Sequence, residues 1–218
     1  AAEFAYIYAA FGCEVTLIAL SSLLSMLPSP LLADARRDLS AVDIRENTPL
    51  EKILGTDRVE GVVAGGETIP CDSVLFATGV KPESPFVSGV AKGADGAILV
   101  NEQMETSIPG VYAAGDVNGK SMLAHTAYRE GEVCINTILG KKDYMRYHAN
   151  PSVIYTMPEV ASVGKTEEDC KAQGVEYELK KLSMMYSGRF VAENEGADGL
   201  CKIIVDKKSN DWVVILHG

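Results

Sequence analysis

The first twenty residues restrict the fold more than any other stretch. Residues 3–11, EFAYIYAAF, bring aromatic and apolar side chains together at close spacing, and Gly12 follows as a helix-ending residue. Residues 15–20, VTLIAL, then form an uncharged run that reads as a strand buried on both faces. Helix, glycine and buried strand in that order make the second half of a βαβ unit, which requires a parallel sheet covered by helices. The glycine-rich turn that ordinarily precedes such a helix is not among the 218 residues, and the last strand stops at His217-Gly218. Both ends are therefore expected to be truncated.

Further along, residues 34–41 read as a short helix and 42–45 as a strand. Residues 58–63 and 67–70 read as a hairpin turned by Gly65-Gly66. Residues 72–77 form another apolar strand, closed by Thr78-Gly79, and 97–100 and 110–113 are short strands. A long helix is predicted over 121–139, where Leu123, Ala127, Glu130, Cys134 and Ile138 recur at helical spacing, and Gly140 ends it. Residues 141–151 read as a linker. Beyond it, strands are expected over 153–155, 160–163, 175–182, 200–206 and 212–216, the last two joined through a turn with Ser209, Asn210 and Asp211. Thr166 and Asp169 have the spacing of a capping box on a short helix ending at Gly174. A mostly antiparallel sheet with helices on one side follows.

Charge excludes some functions. The formal net charge of −10 offers no basic face for a phosphate backbone, and Lys141-Lys142 and Lys180-Lys181 are short pairs, so nucleic acid is not expected as a partner. The uncharged stretch 15–32 is broken by Pro28 and Pro30 and diluted by four serines, which argues against a membrane span. No basic leader precedes it. The cysteines at 13, 71, 134, 170 and 201 have no redox-pair spacing, and His125, His148 and His217 have no metal-ligand spacing. Reduced, mostly buried thiols in a cytoplasmic protein are expected.

Residues 106–117, TSIPGVYAAGDV, hold the most specific chemistry. Ala113-Ala114-Gly115 leaves the backbone bare for close approach, and Asp116 can accept hydrogen bonds from sugar hydroxyls. The helix that follows offers free N–H groups and a favourable dipole to a phosphate or a polarised carbonyl. A nucleotide-like cofactor fits that combination. The competing reading is that Asp116 only caps a turn.

TSIPGVYAAGDV resembles the second flavin-binding motif of the FAD-dependent pyridine nucleotide–disulfide oxidoreductases. MLAHTAYREG (122–131) follows at the family's distance, and PSVIYTMPEVASVG (151–164) and GRFVAENEGADGLCKIIVD (188–206) resemble its interface domain, most closely in the dihydrolipoamide dehydrogenase branch. The implied fold class is α/β: partial Rossmann-like nucleotide-binding domains, then an α+β interface domain with an antiparallel sheet. The implied divisions are a partial NAD-binding domain (1–95), the C-terminal arm of the FAD-binding domain (96–150) and a truncated dimerisation domain (151–218).

The resemblance implies FAD and NAD as cofactors. Asp116 would hold the ribityl chain and Gly115 would allow close approach. Met122, Leu123 and Ala124 would lie beside the isoalloxazine, with His125 near it in a structural role. Gly79, in FATGVKP, and Glu3, on the first helix, are the cofactor-binding residues on the nicotinamide side. The chain departs from the pattern at Ala19-Leu20-Ser21, where NAD users place an acid for the ribose hydroxyls. It departs again at 31–42 and 81–93, which are shorter than in the family.

The family's electrons pass between a dithiol/disulfide and a nicotinamide nucleotide through FAD. The redox cysteine pair and the histidine base are expected outside these residues, so no catalytic residue is assigned and the chain alone is expected to be inactive. A homodimer through 151–218 and a lipoyl-bearing protein of a multienzyme complex are the implied partners. Alternatives within the family are an NADH oxidase or a coenzyme A disulfide reductase. Outside it, the alternative is a non-catalytic dimerising pair of domains.

Overall fold

The computed structural model describes residues 1–24, 29–194, 199–209 and 212–217. Residues 25–28 of the uncharged stretch, 195–198 of the second interface block, and turn positions Asn210 and Asp211 lie outside the described residues. The chain separates into two compact units, Ala1–Ala77 with Pro151–Gly218, and Thr78–Asn150.

The first unit opens with the expected half of a βαβ unit. Helix α1 (Ala2–Ala10) leads through Gly12, at φ +84°, into β1 (Val15–Ile18). After α2 (Ser29–Asp38), β2 (Val42–Arg45) pairs with β1 in parallel, with Val15 opposite Val42 and Ile18 opposite Arg45. Ala2, Ala5, Leu17, Leu39 and Val42 form the core here, and the two alanines let α1 approach the strands closely. Only Leu17 of β1 is buried and Thr16 is exposed, which corrects the expectation of a strand buried on both faces. The reason is the sheet, in which β1 pairs with β2 alone among the described residues.

A three-stranded antiparallel meander follows: β3 (Leu50–Leu54), β4 (Gly61–Ala64) and β5 (Glu67–Pro70). The β4–β5 hairpin turns at Gly65-Gly66, both at positive φ as a primed turn requires. The sequence reading missed β3, whose register shifts between Leu50 and Lys52 and so blurs the two-residue alternation. Residues 72–77 are not a strand. An apolar run becomes a strand only by pairing, and no described residue pairs with it, leaving Leu75 and Phe76 exposed.

In the second unit, 97–100 and 110–113 also fall short of strands. Each makes a single isolated bridge, Lys92 with Ile98 and Glu105 with Tyr112. The dominant element is α3 (Ala124–Ile138), packed through Val133 and Cys134 on Met104 and Met145. It starts three residues later than predicted, because Leu123 is extended at φ −128°, ψ 136°.

Much of the 141–151 stretch read as a linker packs against α3. Met145 is buried in the α3 core, and Asp143 accepts a forked pair of hydrogen bonds from Arg129 at 2.6 and 3.0 Å. Arg129, with Asn136 behind it, lowers the Asp143 carboxyl from 3.8 to about 2. A depressed carboxylate contributes stability that is complete above its unfolded pKa and disappears as pH falls through the folded one. Urea melts of the wild type and Asp143→Asn should therefore differ at neutral pH and converge between about pH 4 and pH 2. A constant gap across that window would mean that the pair does not stabilise the segment.

The chain then returns to the first unit as a five-stranded antiparallel sheet in the order β6-β7-β10-β9-β8. Its strands are β6 (Ser152–Ile154), β7 (Val160–Val163), β8 (Tyr177–Ser183), β9 (Leu200–Asp206) and β10 (Trp212–His217). Helix α4 (Glu167–Ala172) carries the predicted capping box, with the Thr166 side chain accepting from the Asp169 N–H and the Asp169 side chain accepting from the Thr166 N–H. Helix α5 (Gly188–Glu193) buries Phe190. Lys202, on β9, is buried and ion-paired with Glu167 of α4.

Candidate functional site

The second unit holds the loop around Gly115-Asp116. Gly115 sits at φ +86°, ψ −164°, a backbone region that essentially only glycine occupies. A Cβ there would meet Ala127 Cβ at an ordinary 3.5 Å, so conformation rather than space requires the glycine. Residues Asp116–Asn118 form one 3-10 turn, closed by Gly119 in the left-handed region. At Gly119 space matters as well, because a Cβ would come within 2.8 Å of Ala97 Cβ.

One carboxylate holds this loop. Glu130 of α3 is fully buried, and its Oε2 accepts from the Gly115 N–H at 2.6 Å and from Asn118 Nδ2 at 2.8 Å. Its Oε1 accepts from the Tyr147 hydroxyl at 2.6 Å. Three donors on one buried carboxylate satisfy a group that would otherwise be costly to bury. Burial, and then the hydrogen bond to Glu130, push the Tyr147 phenol well above its usual range, and burial raises the Cys134 thiol.

Asp116, held next to Gly115, is exposed, and no described residue hydrogen-bonds its carboxylate. Helix α3 begins eight residues later with no side chain capping its N-terminus. Met122 is half-buried just before it, and Leu123, Ala124 and His125 are exposed. Buried Thr126 anchors the start of the helix, its hydroxyl 3.0 Å from Ser121 Oγ and accepting from Asn150 Nδ2 at 2.7 Å. The result is an open carboxylate on a rigid glycine loop, a helix terminus without a side-chain cap, and small or apolar side chains beside both. Such a surface can take hydroxyls at the carboxylate and a polarised carbonyl or an anion at the helix end.

The two remaining predicted residues are placed differently. Gly79 is exposed at φ +88°, with no atom near the position a Cβ would take. Glu3 belongs to the first unit, where its Oε1 accepts from the Tyr155 N–H at 2.9 Å. The sequence reading missed Glu130, Asn118, Tyr147 and Asn150. Glu130 did leave a signal, as the one charged member of the Leu123–Ile138 apolar stripe. An acid on a core face needs partners, but the stripe does not say which.

Residues 1–131 match the family of pyridine nucleotide-disulphide oxidoreductases, and residues 150–215 match the dimerisation domain of that family. A mitochondrial dihydrolipoyl dehydrogenase of Pisum sativum is 36% identical over a 232-residue alignment covering 99% of this chain and 45% of the relative. A dihydrolipoyl dehydrogenase of Vibrio parahaemolyticus is 40% identical over 156 residues, 70% of this chain and 33% of the relative. Among solved structures, the HOCl-induced flavoprotein disulfide reductase RclA from Escherichia coli superposes with a TM-score of 0.85 at 25% identity, over 99% of this chain and 52% of that one. The chain thus spans less than half the length of these curated relatives.

Proposed function

Because the chain belongs to the pyridine nucleotide–disulphide oxidoreductase family, we propose that it is part of an FAD-dependent oxidoreductase of dihydrolipoyl dehydrogenase type. The observation that carries this reading is Asp116, an exposed carboxylate with no hydrogen-bond partner among the described residues, on a loop whose backbone at Gly115 only glycine readily adopts. A turn cap would use its oxygens on neighbouring N–H groups, and Asp116 does not. The residues present fit a flavin dinucleotide, which when bound supplies two-electron transfer between a nicotinamide nucleotide and a disulfide.

Each residue then has a task. Asp116 accepts from ribityl hydroxyls, and Gly115 leaves the backbone open to them. Met122, Leu123 and Ala124 line the isoalloxazine, with the N–H groups at the start of α3 available to its pyrimidine carbonyl. His125 stands nearby in a structural role. Gly79 gives the nicotinamide nucleotide a close approach to the backbone, and Glu3 serves the same domain. In this reading residues 1–95 serve the nicotinamide nucleotide, 96–150 the flavin, and 151–218 a homodimer contact. The dimerisation-domain match over 150–215 supports the last of these.

A lipoyl-bearing protein of a multienzyme complex is the proposed partner, in a compartment that keeps the cysteines reduced. Among the described residues no helix is long and apolar enough to cross a membrane. The test is to purify the full-length protein, quantify released flavin, and follow oxidation of the reduced nicotinamide with lipoamide, coenzyme A disulfide or oxygen as acceptor. One flavin per chain and preference for lipoamide are expected. Flavin with preference for another acceptor would move the protein to a sister activity. Absence of flavin would leave only a dimerising module.

A further inference from the structure

Two stretches of the candidate site are not part of α3 and must be held against it. One is the Gly115–Gly119 loop with Asp116, and the other is the run from Ser121 to Leu123 that precedes the helix. Both are fixed by one short turn later in the chain, at residues 147–150. Tyr147–Ala149 is a 3-10 turn, and the Asn150 N–H closes it on the Tyr147 carbonyl at 3.1 Å, so the two side chains share one rigid frame.

From that frame Tyr147 donates to Glu130 Oε1, which sets the carboxylate so that Oε2 meets Gly115 and Asn118. The same hydroxyl also lies 3.7 Å from Met104 Sδ. Asn150 donates to Ser121 Oγ at 3.2 Å and to Thr126 Oγ1 at 2.7 Å, which fixes the other stretch. Glu130 and Thr126 are both fully buried, so water does not substitute for either contact.

We propose that Tyr147 and Asn150 are positioning residues of the flavin site, acting as a clamp that sets the spacing between Asp116 and the N-terminus of α3. The proposal rests on the flavin reading above. A ligand held at both places binds well only when their separation matches its own length. Neither clamp residue touches the ligand in this account. Tyr147 acts through Glu130 and Gly115, and Asn150 through Ser121 and Thr126.

The test uses the full-length protein with its flavin removed, titrated with FAD, together with thermal melts of the same apoproteins. Tyr147→Phe and Asn150→Ala should each raise the dissociation constant about tenfold, the effect of one well-placed hydrogen bond. In Tyr147→Phe the Gly115 amide should also exchange its hydrogen faster. A merely structural role would lower the apoprotein melting temperature and leave the FAD dissociation constant within twofold of wild type, and that result overturns the clamp while the flavin reading stands. Wild-type protein that takes up no FAD overturns both. Should Tyr147→Phe fail to fold, Asn150→Ala decides alone, since it keeps Glu130 and all three of its donors.

Discussion

Asp116→Leu in the full-length protein is expected to weaken FAD binding about hundredfold and leave the fold intact. Hydrogen bonds to a charged acceptor contribute about 1.5–3 kcal/mol each, and replacing the carboxylate with an isopropyl group removes them. The apoprotein should melt as wild type does. Asp116 is exposed and no described residue hydrogen-bonds it, and exposed substitutions of that kind shift stability by about 0.5 kcal/mol or less. Asp116→Asn, which keeps one acceptor oxygen, should fall between. Flavin content after gel filtration and a fluorescence titration of the apoprotein measure both quantities. Wild-type affinity in Asp116→Leu would return Asp116 to the role of a turn residue.

Glu130→Ala has the opposite signature, with large effects on stability and on flavin together. The substitution leaves three buried or half-buried donors, the Gly115 N–H, Asn118 Nδ2 and the Tyr147 hydroxyl, without an acceptor. Each unsatisfied group costs about 1–3 kcal/mol, and the cavity adds to that, so about 3–5 kcal/mol is expected after local relaxation. Loss of the Gly115 anchor frees the loop that carries Asp116, so flavin should be lost as well. Urea melts of the apoprotein separate this variant from Asp116→Leu. A destabilisation below about 1 kcal/mol would mean that water replaces the carboxylate and that Glu130 does not hold the loop.

The contrast between these two acids shows how much of the site was legible in the sequence. Asp116 could be picked out because its meaning is local: it follows a glycine, small residues precede it, and a helix comes next. Glu130 was visible only as an anomaly on an apolar stripe. Its partners lie 15 residues back, 12 back and 17 ahead, and no periodicity links such positions. The packing of the 141–151 linker was hidden for the same reason. Its polar composition reads as a linker, whereas Asp143, Met145, Tyr147 and Asn150 each find a partner on or beside α3.

The sequence by itself determined the elements whose causes lie within a few residues. The α1–Gly12–β1 passage, the Gly65-Gly66 hairpin, the Thr166–Asp169 capping box and the β8, β9 and β10 strands all follow from short-range periodicity, turn chemistry and capping. Tertiary structure alone decided which apolar runs became strands, how far β1 is buried, which acid closes on Lys202 in the middle of the sheet, and how the 147–150 turn holds the candidate site. The physical reason is that β-pairing and the burial of a charged group depend on the atoms that arrive opposite. Residues 72–77 carry an apolar run, Val74 to Ala77, yet no described residue pairs with them and their backbone groups stay out of any described ladder.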